Sequence, residues 1–205
     1  MEQLIYRFTD GLRATTLPEG IAVLTGIASV YFSRSANILV YPFGVISTAI
    51  YVYISFAGGL YAEGALNVYY VVMNIAGWYM WLQKDATGEK ILKITVSTRR
   101  DWQQTLLFFG GIWLLLYVIL QRFTNSTVPM EDALASAAAY TGMLLMNKKK
   151  VENWFWWIVT NIVSIPLYFI KGYVFTSVQF IVFLVLAISG WINWYHTWKR
   201  EKATE

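Results

Sequence analysis

The chain has 205 residues, of which 57% are hydrophobic, 18% aromatic and 14% charged, with a net charge of +4 at pH 7. Soluble domains carry about 25% charged residues, and disordered chains have low hydrophobicity, so the composition excludes both classes and indicates an integral membrane protein. The lack of Cys, with His196 as the single His, also excludes disulfide frameworks, thiolate metal sites and Cys nucleophiles.

The apolar runs predict an all-α membrane protein, because a membrane helix takes about 17–25 mostly apolar residues. The N-terminal segment 1–19 carries Leu4, Ile5, Phe8 and Leu12 at helical spacing, which is typical of a short interfacial helix. The seven predicted membrane helices, numbered 1 to 7, cover residues 20–33, 38–56, 65–82, 103–121, 133–147, 153–170 and 174–198. In the longest polar loop, the alternation of Ile94, Val96 and Thr98 favours a short strand.

The basic residues predict the orientation of the chain. With seven spans, the side of the membrane that holds the loops after helices 1, 3, 5 and 7 receives 12 Lys and Arg residues, and the other side receives 4. Cytoplasmic loops carry such an excess, so the N-terminus is predicted outside and the tail 199–205 in the cytoplasm. Because the charge is clustered between apolar runs, it does not indicate nucleic-acid binding.

Three sequence matches between the two halves of the chain predict an internal repeat. Helices 1–3 form one copy, helices 5–7 form the other, and helix 4 belongs to neither. The matches are Thr25-Gly26 with Asn37 and Thr141-Gly142 with Asn153, at an offset of 116; Ile46–Tyr51 and Val163–Tyr168, at 117; and Gly77–Trp81 and Gly190–Trp194, at 113. We therefore predict two parallel three-helix bundles, 20–82 and 133–198, joined by a linker helix within 83–122. A chance recurrence of Gly and aromatic residues in aromatic-rich helices would give the same matches without a repeat.

Helix 6 carries a stripe of aromatic and polar residues on one face. Its members follow spacings of 3, 4, 3 and 4, which keep them on one side of a helix. They are Trp154, Trp157, Asn161, Ser164 and Tyr168. Polar groups at membrane depth are costly unless they are partnered, and they often mark a substrate path. Candidate residues from other helices are Asn74 and Tyr70 on helix 3, and Gln179 and Asn193 on helix 7.

This lining suits a flat cationic ring with a hydroxylated appendage, because indole faces attract cations and amides both donate and accept hydrogen bonds. Single residues also fit simpler roles. Trp near helix ends forms an interface belt, which is the interpretation given to Trp102, Trp156 and Trp198. For Ser47 and Ser164 the favoured interpretation is helix packing.

No acidic residue falls inside a predicted span, and no phosphate-binding loop or catalytic constellation is present. Proton-coupled carriers commonly use buried carboxylates or His, so the sequence favours facilitated diffusion without a cofactor or metal. Sodium coupling through backbone carbonyls stays open.

The run Val151–Ser164, VENWFWWIVTNIVS, resembles the ENWxxWxxxN signature of PnuC-type vitamin transporters, and Asn74–Trp81 resembles their helix 3 motif. The resemblance implies a SWEET-like 3+1+3 fold in the bacterial inner membrane and uptake of nicotinamide riboside by facilitated diffusion. A cytoplasmic kinase then traps the substrate, and the family suggests a homotrimer. The residues carried over to substrate binding are Trp154, Trp157, Asn161 and Asn74.

The resemblance leaves the substrate open, because relatives of this type also carry thiamine or riboflavin. Thiamine is likewise a flat aromatic cation, and Tyr69, Tyr70 and Gln179 are the residues expected to make the choice. Three further hypotheses are a carrier of a different sugar, a membrane-embedded enzyme and a structural scaffold. An enzyme would need a catalytic constellation, and a scaffold would need apolar helix faces throughout; the sequence has neither.

Overall fold

The computed structural model describes residues 16–59, 61–124 and 126–204 and contains seven α-helices in these ranges. They are α1 (Leu17–Arg34), α2 (Val40–Ala57), α3 (Tyr61–Leu82), α4 (Arg99–Phe123), α5 (Pro129–Asn147), α6 (Asn153–Ile170) and α7 (Val174–Thr204). The prediction of an all-α chain with seven long helices is confirmed. The predicted interfacial helix lies outside the described residues, apart from its last positions, which belong to Thr16 and α1.

Helices α1 and α4 begin before their predicted apolar runs, because side-chain caps satisfy N–H groups of their first turns. Helix α4 begins at Arg99, where Thr98 and Asp101 form a capping box. The Asp101 N–H donates to Thr98 Oγ1 (3.2 Å), and the Thr98 N–H donates to Asp101 Oδ2 (2.9 Å). At the other end of the chain α7 continues to Thr204, so most of the predicted tail is helical.

The longer helices bring acidic residues into their first turns. Glu19 opens α1, Asp101 opens α4, and Glu131 and Asp132 open α5. A carboxylate is favoured there by the positive end of the helix dipole. Asp132 also accepts from the Lys171 ammonium at 2.6 Å, so these acids are accounted for by their places at the helix ends.

Four of the described helices are long and apolar enough to cross a membrane: α2, α4, α6 and, within α7, Thr176–Ala203. Helix α4 is the most lipid-like of them, because its most apolar window contains no buried residue. Helix α5, by contrast, is built from small buried residues such as Ala137, Ala138 and Gly142, which let neighbouring helices approach closely.

The helices pack as two similar units, with α4 outside them. In the N-terminal unit α2 packs against α1 and α3, and in the C-terminal unit α6 packs against α5 and α7. The units contact each other reciprocally, because α1 packs on α7 and α3 packs on α5, while α4 lies against α5. The first helix of each unit therefore meets the third helix of the other.

The turns that follow α1 and α5 have the same conformation at an offset of 113 residues. Ala36 and Lys149, the two non-glycine residues with positive φ in the described part, have φ of 49° and 51°. The Ala36 N–H donates to Ser33 O (2.9 Å), and the Lys149 N–H donates to Met146 O (2.9 Å). Each turn leads directly into the central helix of its unit.

A matching hydrogen bond joins the first and second helices of each unit at the same offset. The Ser47 hydroxyl donates to Ala22 O (2.8 Å), and the Thr160 hydroxyl donates to Ala135 O (3.4 Å). The predicted offsets of 116 and 117 for these helices are therefore wrong by about one helical turn. Residues three or four positions apart share a helix face, so a sequence match displaced by one turn gives a similar pattern.

Four buried aromatic side chains close one end of the molecule, and we call Tyr41, Trp81, Trp154 and Trp194 the ring cluster. Tyr41 meets Trp81 edge-on at 5.0 Å between ring centroids, and Trp154 meets Trp194 edge-on at 5.8 Å. Trp81 and Trp194 join the two pairs at 6.0 Å. Edge-on pairs at these distances are favourable beyond their buried area.

The glycines of the third sequence match make room for these rings. A Cβ at Gly77 would overlap the Tyr41 ring, and a Cβ at Gly190 would overlap the Trp154 ring. Each glycine thus lets an aromatic side chain of the central helix lie directly on the backbone of the third helix.

The polar segment 83–98 lies against the turn between α5 and α6 through one β-bridge, between Thr95 and Lys150, and not through the predicted short strand. The Glu152 carboxylate accepts from the Ser97 N–H (2.9 Å) and from the Ser97 hydroxyl (2.8 Å). Because the Ser97 N–H is bonded to this carboxylate, it is not available to extend the β-pairing, which ends after the pair Thr95 and Lys150.

Candidate functional site

Helix α6 turns most of its predicted stripe towards the interior. Trp154 and Asn161 are 2% and 3% exposed, Ser164 is also buried, and Trp157 is half-buried. Ile162, on the other side of the helix, is 55% exposed. The polar and aromatic face therefore points away from lipid, as a substrate-lining face must.

Trp157 lies on the backbone of α5 at Gly142. A Cβ at Gly142 would lie 3.1–3.2 Å from Cε2, Cδ2 and Nε1 of the indole. The absence of a side chain at Gly142 therefore sets how closely the Trp157 ring approaches the backbone of α5. Trp157 is half-buried, in contrast to Trp154 and Asn161, which are fully buried.

Trp154 is enclosed more tightly, because it belongs to the ring cluster. Its indole Nε1 is buried and has no hydrogen-bond partner among the described residues, and the same holds for Oδ1 of Asn153. Buried polar atoms are nearly always paired with protein or water. The start of α6 therefore has an unused donor and an unused acceptor beside the site.

Asn161 follows Trp157 by about one helical turn on the same face. Its side chain is buried, and no hydrogen bond joins it to the residues that the structure describes. An amide offers two donors and an acceptor, so Asn161 has the chemistry to pair with a hydroxyl or carbonyl of a ligand.

Asn74, the candidate on α3, is already held in place. It is buried, and its Nδ2 donates to Tyr70 O of the same helix at 2.9 Å. Its side chain fills the space that a Cβ at Gly44 of α2 would need. One donor of Asn74 is therefore used within α3, and its position depends on a glycine of α2.

Three tyrosines form a group where α3 meets α5. The ring centroids of Tyr69 and Tyr140 lie 4.2 Å apart, and Tyr70 lies 5.7 Å from Tyr69 and 5.9 Å from Tyr140. Tyr69 and Tyr70 are sequence-predicted selectivity residues, whereas Tyr140 is not predicted from the sequence. The feature of the sequence that could have indicated Tyr140 is its position as a lone aromatic residue within the run of small residues Ala135–Gly142.

The two candidates on α7 differ in position. Gln179 is half-buried and lies about three helical turns before Gly190, hence on a similar face. Asn193 is exposed, and its Nδ2 donates to Arg34 O at the end of α1 (3.0 Å). The structure therefore brings Asn193 to the junction of α1 and α7, and not to the group formed by Trp157 and Asn161.

Trp156 corrects one sequence interpretation. It is 3% exposed, and its ring centroid lies 4.6 Å from that of Phe109 on α4. The assignment of Trp156 to an interface belt is wrong, because the side chain is buried against Phe109 of α4. The hydropathy of α4 predicts a membrane helix, but it does not predict which side chains of other helices pack against α4.

Comparison with known proteins agrees with this fold. A family profile described as "Nicotinamide mononucleotide transporter" matches residues 16–196. The "Nicotinamide riboside transporter PnuC" of Escherichia coli (strain K12) is 24% identical over 202 residues, covering 85% of this chain and 84% of the relative. The "Riboflavin/roseoflavin transporter RibM" of Streptomyces davaonensis is 26% identical over 137 residues, covering 64% of this chain and 63% of that protein.

A solved structure is similar over nearly the whole chain. The "Crystal structure of the Vitamin B3 transporter PnuC" matches with a TM-score of 0.71 and 25% identity, covering 96% of this chain and 90% of that one. The profile spans most of the chain, and the predicted resemblance is confirmed. The chain belongs to the PnuC-type family of membrane transporters, described as nicotinamide mononucleotide transporters.

Proposed function

We propose that the protein carries nicotinamide riboside across the membrane, the activity that its Escherichia coli relative is named for. The observation that carries the proposal is the pair on α6, with the half-buried Trp157 one helical turn from the Asn161 amide. A pyridinium cation is attracted to an indole face, and ribose hydroxyls match the donors and acceptor of an amide. Trp154, Asn74, Tyr70 and Gln179 complete the proposed site, and Asn193 is left out of it.

The charges around the site favour the riboside over its phosphorylated form, which the family description names. A phosphate at membrane depth needs a cationic partner. The segments 40–57, 61–82, 129–147 and 153–170 contain neither Lys nor Arg. A neutral ribose therefore fits this interior better than a phosphorylated one.

The proposed transport is facilitated diffusion, without catalysis or a bound cofactor. The acids at the starts of α1, α4 and α5 lie in first turns, where they are poorly placed to carry a proton through the membrane centre. Net uptake then needs a sink, for which phosphorylation by a cytoplasmic kinase is the proposed step.

The proposed architecture is 3+1+3, with residues 20–82 and 133–198 as parallel three-helix bundles and α4 as linker. The matching turns at Ala36 and Lys149 and the reciprocal packing of the units support it. The proposed location is the bacterial inner membrane, as the resemblance implies, and the excess of Lys and Arg on one side favours the N-terminus outside and the C-terminus inside. The apolar outer surface of α4 is compatible with the homotrimer that the resemblance suggests.

A second candidate is thiamine or another B vitamin. The relative named for riboflavin and roseoflavin favours a family in which the same scaffold takes different aromatic substrates. Stacking on Trp157 does not separate one flat ring from another. The selection then falls to the surrounding side chains, for which Tyr69, Tyr70 and Gln179 are the candidates.

Calorimetric titration of the purified protein with nicotinamide riboside, its mononucleotide, thiamine and riboflavin in parallel tests these assignments. We expect the riboside to bind at least about tenfold more tightly than the others, a difference of about 1.4 kcal/mol. Tighter binding of thiamine or riboflavin would favour the second candidate. Binding of none of the four would contradict both.

A further inference from the structure

Asn147, the last residue of α5, joins the two units at the end that the ring cluster closes. It is 2% exposed, and its Oδ1 accepts from the Tyr41 hydroxyl (3.2 Å) while its Nδ2 donates to Met73 O (2.8 Å). Its backbone carbonyl accepts from Trp81 Nε1 (3.1 Å). One residue of the C-terminal unit thus makes three hydrogen bonds to α2 and α3 of the N-terminal unit.

Helix α3 is shaped to receive this side chain. A Cβ at Gly77 would overlap both Asn147 Oδ1 and the Tyr41 hydroxyl. Only a residue without a side chain leaves room for an amide and a tyrosine at this point. The contact is therefore a fitted junction, in which both side-chain polar atoms of Asn147 are paired.

The equivalent junction at the end of α1 is built differently. Ser33 O accepts from Trp194 Nε1 (2.9 Å), and Arg34 O accepts from Asn193 Nδ2 (3.0 Å). At an offset of 113, Arg34 takes the place of Asn147, and the amide comes from an exposed residue of α7. The two junctions therefore differ in their amides, because Asn147 is buried and Asn193 is exposed.

The opposite end of the molecule is held by bonds of another kind. Ser177 is buried and donates to Ile165 O (2.8 Å), and Lys171 pairs with Asp132. These contacts stay within the C-terminal unit. The described hydrogen bonds between units are thus concentrated at the end where α1 and α5 terminate.

We propose that Asn147 is a positioning residue of the transport cycle, which holds the ends of α3 and α5 together and keeps this end of the substrate path closed. Release of substrate at this end requires its bonds to Tyr41 and Met73 to break, because they tie the third helix of one unit to the first helix of the other. This role rests on the proposed function as a carrier and adds the residue that controls one exit.

The chain contains no Cys, so a single introduced thiol can report opening. Ser33→Cys places the thiol at a buried position of the closed end, and Ser177→Cys places one at a buried position of the opposite end. The rate of labelling by a water-soluble thiol reagent is measured in detergent, without substrate, for each reporter alone and combined with Asn147→Leu. Leucine has a similar size but cannot pair with the Tyr41 hydroxyl or the Met73 carbonyl.

We expect Asn147→Leu to raise labelling of Ser33→Cys about tenfold, equivalent to about 1.4 kcal/mol, because it leaves buried polar groups unpaired in the closed form. Labelling of Ser177→Cys should stay unchanged. Tyr41→Phe, which removes one bond, should give a smaller rise. Asn193→Leu is the matched control and should change labelling less than about twofold, because water replaces a bond at an exposed amide.

Equal labelling of Ser33→Cys with and without Asn147→Leu would overturn the proposal. So would a rise at both reporters, which indicates general loosening of the fold, or an equal rise with Asn193→Leu. Binding of nicotinamide riboside by the unaltered protein tests the proposed function separately, since the labelling rates do not depend on substrate.

Discussion

Trp156 and Trp157 are adjacent in sequence but serve different partners. Trp157 rests on Gly142 and is half-buried, whereas Trp156 is buried and packs on Phe109 of α4. About 100° of helical rotation separates them, which is enough to direct one indole to the candidate site and the other to the linker helix.

Truncating each indole should therefore have a different effect. Trp157→Ala should weaken binding of nicotinamide riboside at least about tenfold, because a desolvated cation–π contact contributes about 2 kcal/mol. Trp156→Ala should leave affinity within about threefold but lower the melting temperature, since truncating a buried Trp costs about 3–5 kcal/mol. Calorimetric titration and thermal unfolding distinguish the two; equal losses of affinity would contradict the different orientations.

Gly142 offers a test that leaves every ligand-contacting side chain in place. Gly142→Ala puts a methyl group 3.1–3.2 Å from the Trp157 indole, so the ring must move by a few tenths of an ångström into the space of the ligand. We expect a several-fold loss of affinity for nicotinamide riboside with little change in melting temperature.

The control is Gly110→Ala on α4, where a Cβ would meet nothing within 4 Å. This change should leave the affinity for nicotinamide riboside unaltered. It should slightly stabilise the helix, because Gly in a helix interior is less stable than Ala by about 0.5–1 kcal/mol. If both variants bind the riboside equally well, Gly142 does not position Trp157.

Among the elements, the turn between α5 and α6 contains a buried cation. Lys149 has its ammonium 4.6 Å from the centre of the Trp81 ring and donates to Leu92 O (2.9 Å). Burial lowers the pKa of Lys149 to about 8, with a smaller contribution from the nearby charge of Lys90 and an opposing one from Glu201. The charged form is therefore less favourable here than in water.

This lowered pKa predicts how stability depends on pH. Between about pH 8 and the ordinary Lys value of about 10.4, the unfolded chain holds one more proton than the folded one, so stability rises with pH. The melting temperature of the wild type should therefore increase relative to that of Lys149→Met across this range and level off below pH 8. The exposed neighbour provides the control, because Lys148→Met should follow the wild type; parallel curves for wild type and Lys149→Met would contradict the assignment.

The sequence predicts some elements better than others for a physical reason. Helix α6 is found at its predicted bounds, because Lys150 and Gly172 bound an apolar run that ends where the helix ends. The start of α4 is not predicted, because the helix begins with a polar capping box of Thr98 and Asp101. A prediction from hydropathy begins only where the apolar run begins. Likewise the stripe on α6 follows from spacing alone, whereas the contact of Tyr140 with Tyr69 depends on how α3 packs against α5.

On the scale of the whole molecule, the two units share a scaffold but only one carries the α6 site. At an offset of 113, Trp157 corresponds to Gly44, and Asn74 corresponds to Ala187. In the N-terminal unit Asn74 fills the space beside Gly44, whereas the C-terminal unit has a large indole at that position and a small residue on its third helix. In the proposed repeat the packing of the helices is shared, and the exchanged large and small residues provide the asymmetry that a site for one substrate needs.

The distribution of acids over the molecule leads to the last prediction. Glu19, Asp101, Glu131 and Asp132 lie in the first turns of their helices, and Asp132 is already paired with Lys171. A proton-coupled carrier commonly needs such a group at membrane depth. In proteoliposomes without a kinase, we therefore expect internal nicotinamide riboside to rise to the outside concentration and stop there, with or without a proton or sodium gradient.

Enclosing a riboside kinase with ATP should drive further accumulation, and Trp157→Ala vesicles give the background rate. Accumulation above the outside level under either gradient, without the kinase, would exclude facilitated diffusion.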